Sequence, residues 1–199
     1  MAYPTVSKPY GFQPINRVDG MAYAGAIRQL PISQAGAIYN GDLVELDVGG
    51  VVGTATSLTA GAKLGVFMGC QYTNAAGQTI QAQYYPGSSV TNAIAYVVDD
   101  PMAAFKVAVT TNGTTMSTVT RAAVGTNVTA LAGTPSAITG DSGQSILNSS
   151  PADTATFPLR VIDVVPDTAY VVGGVTVYPE VIVKINLHQY NTALGNAVA

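Results

Sequence analysis

Between Lys63 and Pro86, apolar and polar positions alternate on both sides of one short loop. Leu64, Val66, Met68, Cys70 and Tyr72 fall on one side of a period of two, and Gly65, Phe67, Gly69, Gln71 and Thr73 on the other. Asn74-Ala75-Ala76-Gly77-Gln78 supplies turn chemistry, after which Ile80, Ala82 and Tyr84 alternate with Gln81, Gln83 and Tyr85. Strict alternation around a Gly-containing loop predicts a β-hairpin with one buried face.

The same logic recurs along the chain. Ala24 to Ile32 reads as a strand ending near Pro31, and Asn40-Gly41 as a turn before a strand over Asp42 to Val48. Gly49-Gly50 before Val51-Val52, and Gly173-Gly174 between Tyr170-Val171-Val172 and Val175-Thr176-Val177, have the form of two-residue hairpins with positive φ. Further strands are expected over Ile94 to Val98, closed by Asp99-Asp100-Pro101, over Phe105 to Val109, over Phe157 to Val165, and over Val181 to Leu187. Met116 to Leu131 admits a short helical turn capped by Ser117 and ending at Gly125. Thr134 to Ala155, rich in Ser, Thr, Gly and Ala, reads as loop or weak edge structure. Many short strands and no long amphipathic helix predict an all-β fold, a single β-barrel or sandwich of antiparallel strands.

Met1 to Asp19 differs from the rest. Pro4, Pro9 and Pro14 interleave with Tyr3, Tyr10 and Phe12, a spacing that disfavours helix and interior strand and leaves an extended path. The expected organisation is an N-terminal arm (1–19), a β-barrel (20–190) and a tail (191–199). The aromatic groups of the arm need a surface to lie on. Either the arm folds back onto its own barrel, or Tyr3, Pro9, Tyr10, Phe12 and Pro14 dock on a neighbouring subunit.

Charge changes the picture most. Only 10% of the 199 residues are Asp, Glu, Lys or Arg, while 48% are apolar; an ordinary soluble domain carries roughly 25% charged residues. Such an exterior is read as one covered by other protein chains. A net charge of −3 without a basic cluster argues against nucleic acid as a partner. The longest uninterrupted apolar run, Ala93 to Val98, falls well short of the roughly 18 residues of a membrane helix, so no membrane partner is expected.

Candidate chemistry is sparse. Gly140-Asp141-Ser142-Gly143 matches the tetrapeptide around the nucleophile of chymotrypsin-like proteases, but the single histidine, His188, lies downstream, on the polar side of the last strand. One His and one Cys cannot build a zinc site of the usual ligand count. Cys70, on the apolar face of the hairpin, reads as inert core packing. Asp99-Asp100-Pro101 offers carboxylates to calcium but more often makes a solvated turn. The expectation is no enzyme, no catalytic residue, no metal and no cofactor.

Asn40-Gly41-Asp42-Leu43-Val44, the Gly49-Gly50 hairpin and Gly65-Val66-Phe67 together resemble head decoration (cement) proteins of tailed bacteriophages. Gly11-Phe12-Gln13-Pro14, Gln83-Tyr84-Tyr85-Pro86, Asp99-Asp100-Pro101 and Pro158-Leu159-Arg160-Val161-Ile162 are similar to virion structural proteins of podovirus-like phages. The resemblance implies a β-barrel located on the capsid surface of the virion, with the major capsid protein and further copies of itself (a homo-oligomer, dimer or trimer) as partners. Two alternatives remain open: another virion component (major capsid, head or tail protein), and a carbohydrate-binding module of a host-recognition fibre.

Overall fold

The computed structural model describes residues 6–21, 24–87 and 89–191. In chain order the strands are β1 (Gln13–Arg17), β2 (Arg28–Pro31), β3 (Leu43–Asp47), β4 (Val51–Thr54), β5 (Gly65–Thr73), β6 (Thr79–Ala82), β7 (Thr91–Val98) and β8 (Ala103–Thr110). There follow β9 (Asn127–Val128), β10 (Ala130–Leu131), β11 (Ser145–Leu147), β12 (Leu159–Val164), β13 (Tyr170–Val172), β14 (Val175–Val177) and β15 (Glu180–Ile185). Among the described residues the helical pieces are 3-10 turns at Arg121–Ala123, Pro166–Thr168 and Gln189–Asn191. The chain is all-β, as the alternation predicts.

A six-stranded sheet runs β2-β7-β5-β3-β4, with β6 also on β5. A parallel bridge from Ile32 to Val52 brings β4 back beside β2, so this sheet is nearly closed into a barrel. A seven-stranded sheet runs β10-β11-β8-β15-β12-β9, with β1 also on β8. Because β15 occupies one edge of β8, β1 (opposite Ala103 to Lys106) and β11 (opposite Val109 and Thr110) share the other, end to end. The link from β7 to β8, through Asp99-Asp100-Pro101-Met102, carries the chain from one sheet to the other.

Two apolar cores result, and the strands of the barrel serve both. Val44, Phe67 and Val97 point into the barrel with Ile38, Val52, Leu64, Cys70 and Ala95. Their chain neighbours Leu43, Val66 and Val98 point outward into a second core with Phe105, Val107, Leu159, Val161 and Val183 of the seven-stranded sheet. Successive side chains of a strand face opposite ways, and here both faces are apolar and buried. The expectation of one buried face for the central hairpin is therefore corrected. The pairing of β5 with β7 also slips between Phe67 and Gly69, which puts Cys70 and Tyr72 on the side of Phe67, away from Val66 and Met68.

The predicted turns form with small changes. The β5–β6 loop closes by Asn74 N–H donating to the Gln78 carbonyl and Gly77 N–H to the Asn74 carbonyl. Asp47 pairs with Val51, so the β3–β4 loop has three residues, Val48-Gly49-Gly50, rather than two. Val172 pairs with Val175 around Gly173-Gly174, at φ +58° and +82°, the two-residue turn the sequence predicts.

Thr134 to Ala155 departs from expectation. It contains β11, buried and parallel to β8, with Ser145 and Ile146 at most 1% exposed. Glycine makes this packing possible: a Cβ on Gly133 would lie 2.0 Å from the Gly143 carbonyl oxygen and 2.3 Å from that of Gly113. Backbones of three segments therefore touch where a composition of small residues suggests loop.

Candidate interaction surface

The N-terminal segment lies on its own barrel. Pro9 is buried and Phe12 is fully buried in the core between the sheets. Gly11 N–H donates to the Gln144 carbonyl (3.1 Å) and Phe12 N–H to the Gly41 carbonyl (2.9 Å). Pro14 is half-buried opposite Phe105, with a bulge before Asn16. The Tyr10 hydroxyl donates to Glu180, a carboxylate only 3% exposed, and the Lys106 ammonium lies 3.7 Å from the same oxygen and 5.6 Å from the centre of the Tyr10 ring. Burial first, then the bond to Glu180, holds the Tyr10 phenol well above its ordinary value. Of the five expected docking residues, Pro9, Tyr10, Phe12 and Pro14 thus serve the fold; Tyr3 lies outside the described residues.

The remaining candidate groups are likewise engaged internally. Ser142, 2% exposed, donates to Asp42 Oδ1 (2.6 Å) and accepts from Gln144 N–H (2.9 Å). Asp42 also accepts from Tyr39 N–H; burial pushes its carboxyl upward against both bonds. This cluster ties the start of β3 to the loop before β11, and the tetrapeptide around Ser142 is a structural joint. Cys70 is fully buried, and burial pushes its thiol up to about 12. The Asp99 and Asp100 carboxylates are held by Arg28 and Arg17, each at 2.6 Å. Among the described residues no three His, Cys, Asp or Glu side chains converge as metal ligands. His188, expected on a polar strand face, is instead 1% exposed.

Internal pairing also accounts for much of the scarce charge. Arg17, Arg28, Lys63, Lys106 and Arg121 are all ion-paired within the chain. Part of what the molecule presents is apolar. The β13–β14 hairpin forms a two-stranded sheet of its own, and Val171, Val172 and Val175 are 62%, 56% and 51% exposed. Not one charged residue occurs from Ala169 to Tyr178.

At the root of this hairpin, Tyr178 exchanges two backbone bonds with Val119 (2.8 and 3.0 Å). Val119 in turn lines a shallow open groove with Thr118, Thr120, Ala123, Thr126 and Asn148, among other uncharged residues. Hairpin and groove adjoin through this pair, with the exposed Arg121–Asp163 ion pair beside the groove residues Thr120 and Ala122. An isolated two-stranded hairpin is marginal in water, and edge strands exposed to water ordinarily carry charges, prolines or bulges. Strand β1 has all three devices, in Arg17, Pro14 and the bulge at Ile15; β13 and β14 have none. The sequence showed the hairpin itself but gave no reason to single it out over the aromatic arm. Its signal was the run without charge. No protein-family model, curated protein sequence or solved structure matches this chain.

Proposed function

We propose that the protein is a bacteriophage capsid decoration protein, which binds the outer face of the head and stabilises it by bridging capsid subunits. One observation carries the reading: a charge-free hairpin, apolar on exposed strands and unprotected at its edges, in a chain with only 10% charged residues. The likeness of residues 40–44, 49–50 and 65–67 to head decoration proteins supports it from the sequence side. Since the N-terminal segment is used by the barrel, the contact passes from that segment to β13–β14.

The energetics suit a lattice. Burying a whole valine side chain contributes about 1.5 kcal/mol or more, so three half-exposed valines offer roughly 2–3 kcal/mol per copy before association costs. That is too little for a lone pair of molecules, and standard interfaces use about 20–30 residues a side. Copies that also touch one another across a shell add their contacts, and avidity does the rest.

The test is co-sedimentation with tailed-phage heads stripped of their decoration protein. Saturable binding of the native chain, lost in Val172→Lys while the fold is retained, is expected. Equal binding of both proteins, or none by either, refutes the reading.

A further inference from the structure

We propose that His188 is the pin of an acid-sensitive latch that fastens residues 187–190, after β15, to the mouth of the barrel and releases them on acidification. This does not rest on the decoration reading.

The latch is a seam between the two sheets. Past β15, Lys63 N–H donates to the Leu187 carbonyl (2.8 Å) and Gln189 N–H to the Lys63 carbonyl (2.9 Å). The Gln189 side chain accepts from Leu46 N–H (2.7 Å) and donates to the Leu46 carbonyl (3.2 Å) on β3. The Tyr190 hydroxyl donates to Asp99 (2.8 Å) at the end of β7. Residues 187–190 thus reach three different parts of the barrel within four positions.

His188 sits in the middle of these contacts, 1% exposed. Its Nδ1 accepts Tyr190 N–H (3.2 Å), so the neutral ring carries its proton on Nε2. Nε2 is buried and has no hydrogen-bond partner; the Leu64 and Asp99 carbonyls are near enough to favour a charged ring without meeting hydrogen-bond geometry. Acceptance at Nδ1 requires the neutral form. A second proton would turn that acceptor into a donor facing Tyr190 N–H and place a cation in a closed site.

The surrounding charges do not cancel this penalty. Asp99 and Asp100 favour the imidazolium, but they are neutralised by Arg28 and Arg17. The Arg28 guanidinium also lies 5.3 Å over the Tyr190 ring, itself 5.1 Å from the imidazole. Lys63, the backbone partner of His188, is paired with Glu45 at 3.4 Å. Burial is the largest influence, and it holds the ring below its ordinary value.

The sign follows from linkage. With the latch closed the ring stays neutral; with it open the ring meets water and titrates near about 6.5. Below that pH the open form gains a proton first, so opening increases up to about tenfold for each pH unit, until the closed form also protonates.

The single histidine makes the test direct. The native protein is followed by NMR as the pH is taken from about 8 to about 5, reading the imidazole carbon-bound protons and the protection factors of the Lys63 and Gln189 amides. The expected result is an imidazole that titrates below about 6.5 and latch protection that falls in step, while β8–β15 amides keep theirs. His188→Gln, which cannot gain a charge, should show pH-independent protection. An imidazole titrating at or above the ordinary value, or latch protection that ignores pH in the native protein, overturns the proposal whether or not the variant folds.

Discussion

Removing the ring of Phe12 tests where the N-terminal segment belongs. The side chain is fully buried between the sheets, in one core with Leu43, Val66, Val98 and Phe105. Phe12→Ala removes that burial and leaves a cavity whose walls are β-strands held by their ladders, so little collapse is expected. Substitutions of this kind cost about 3–5 kcal/mol, a fifth or more of the roughly 5–15 kcal/mol that holds a domain together. At about 2–4 °C per kcal/mol for a chain of this length, the melting temperature should fall by roughly 6–20 °C. The assay is urea unfolding followed by far-UV circular dichroism, since the chain has no tryptophan. The midpoint should drop at an unchanged denaturant slope. A loss below about 1 kcal/mol would refute the reasoning, because it would mean that the segment is an arm laid on the barrel and not a part of it. Deleting residues 1–19 should accordingly unfold the barrel, not merely detach it from a partner.

Other substitutions probe the remaining joints. Tyr10→Phe leaves the shape intact but deprives buried Glu180 of its hydroxyl donor, and should cost about 1.5–3 kcal/mol in the same urea assay; an unchanged midpoint would contradict the bond. Gly133→Ala drives a methyl to 2.0 Å from the Gly143 carbonyl oxygen, and should destabilise by about 1–3 kcal/mol or prevent folding; a neutral effect would refute the close approach. Cys70, with its thiol pushed up to about 12 by burial, should resist alkylation at neutral pH until the protein is unfolded. Prompt labelling of the native protein would show the barrel interior to be open.

Much of this architecture was legible in the residues because alternation and turn chemistry act locally. Asn74 to Gln78 closes a hairpin by bonds within five positions, and Gly173-Gly174 closes another by its own φ angles. What the pattern could not convey was decided by distant partners. Alternation in β5 looked like one buried face, yet Phe67 faces a barrel interior that only forms when β4 returns to β2. Small residues in Thr134 to Ala155 looked like loop because their burial depends on backbones from Gly113, Gly133 and Gly143 meeting across the chain. His188 looked exposed on a polar strand face, whereas the bond from Gln189 to Lys63 folds that face inward. Proline spacing pointed to an extended path for Met1 to Asp19, but the surface under Phe12 belongs to β3, β5 and β8, far away in sequence. The hairpin proposed as a contact surface was hidden for a different reason. Exposure of Val171, Val172 and Val175 is a property of what fails to cover them, and its one local trace is the run without charge from Ala169 to Tyr178.

Electron cryomicroscopy of the intact particle tests the central claim most directly. The account predicts density for the barrel on the outer face of the head, with the Val171 to Val175 hairpin seated against neighbouring protein and no longer in contact with water. A chain missing from the shell, or one whose hairpin points into solvent, would contradict it.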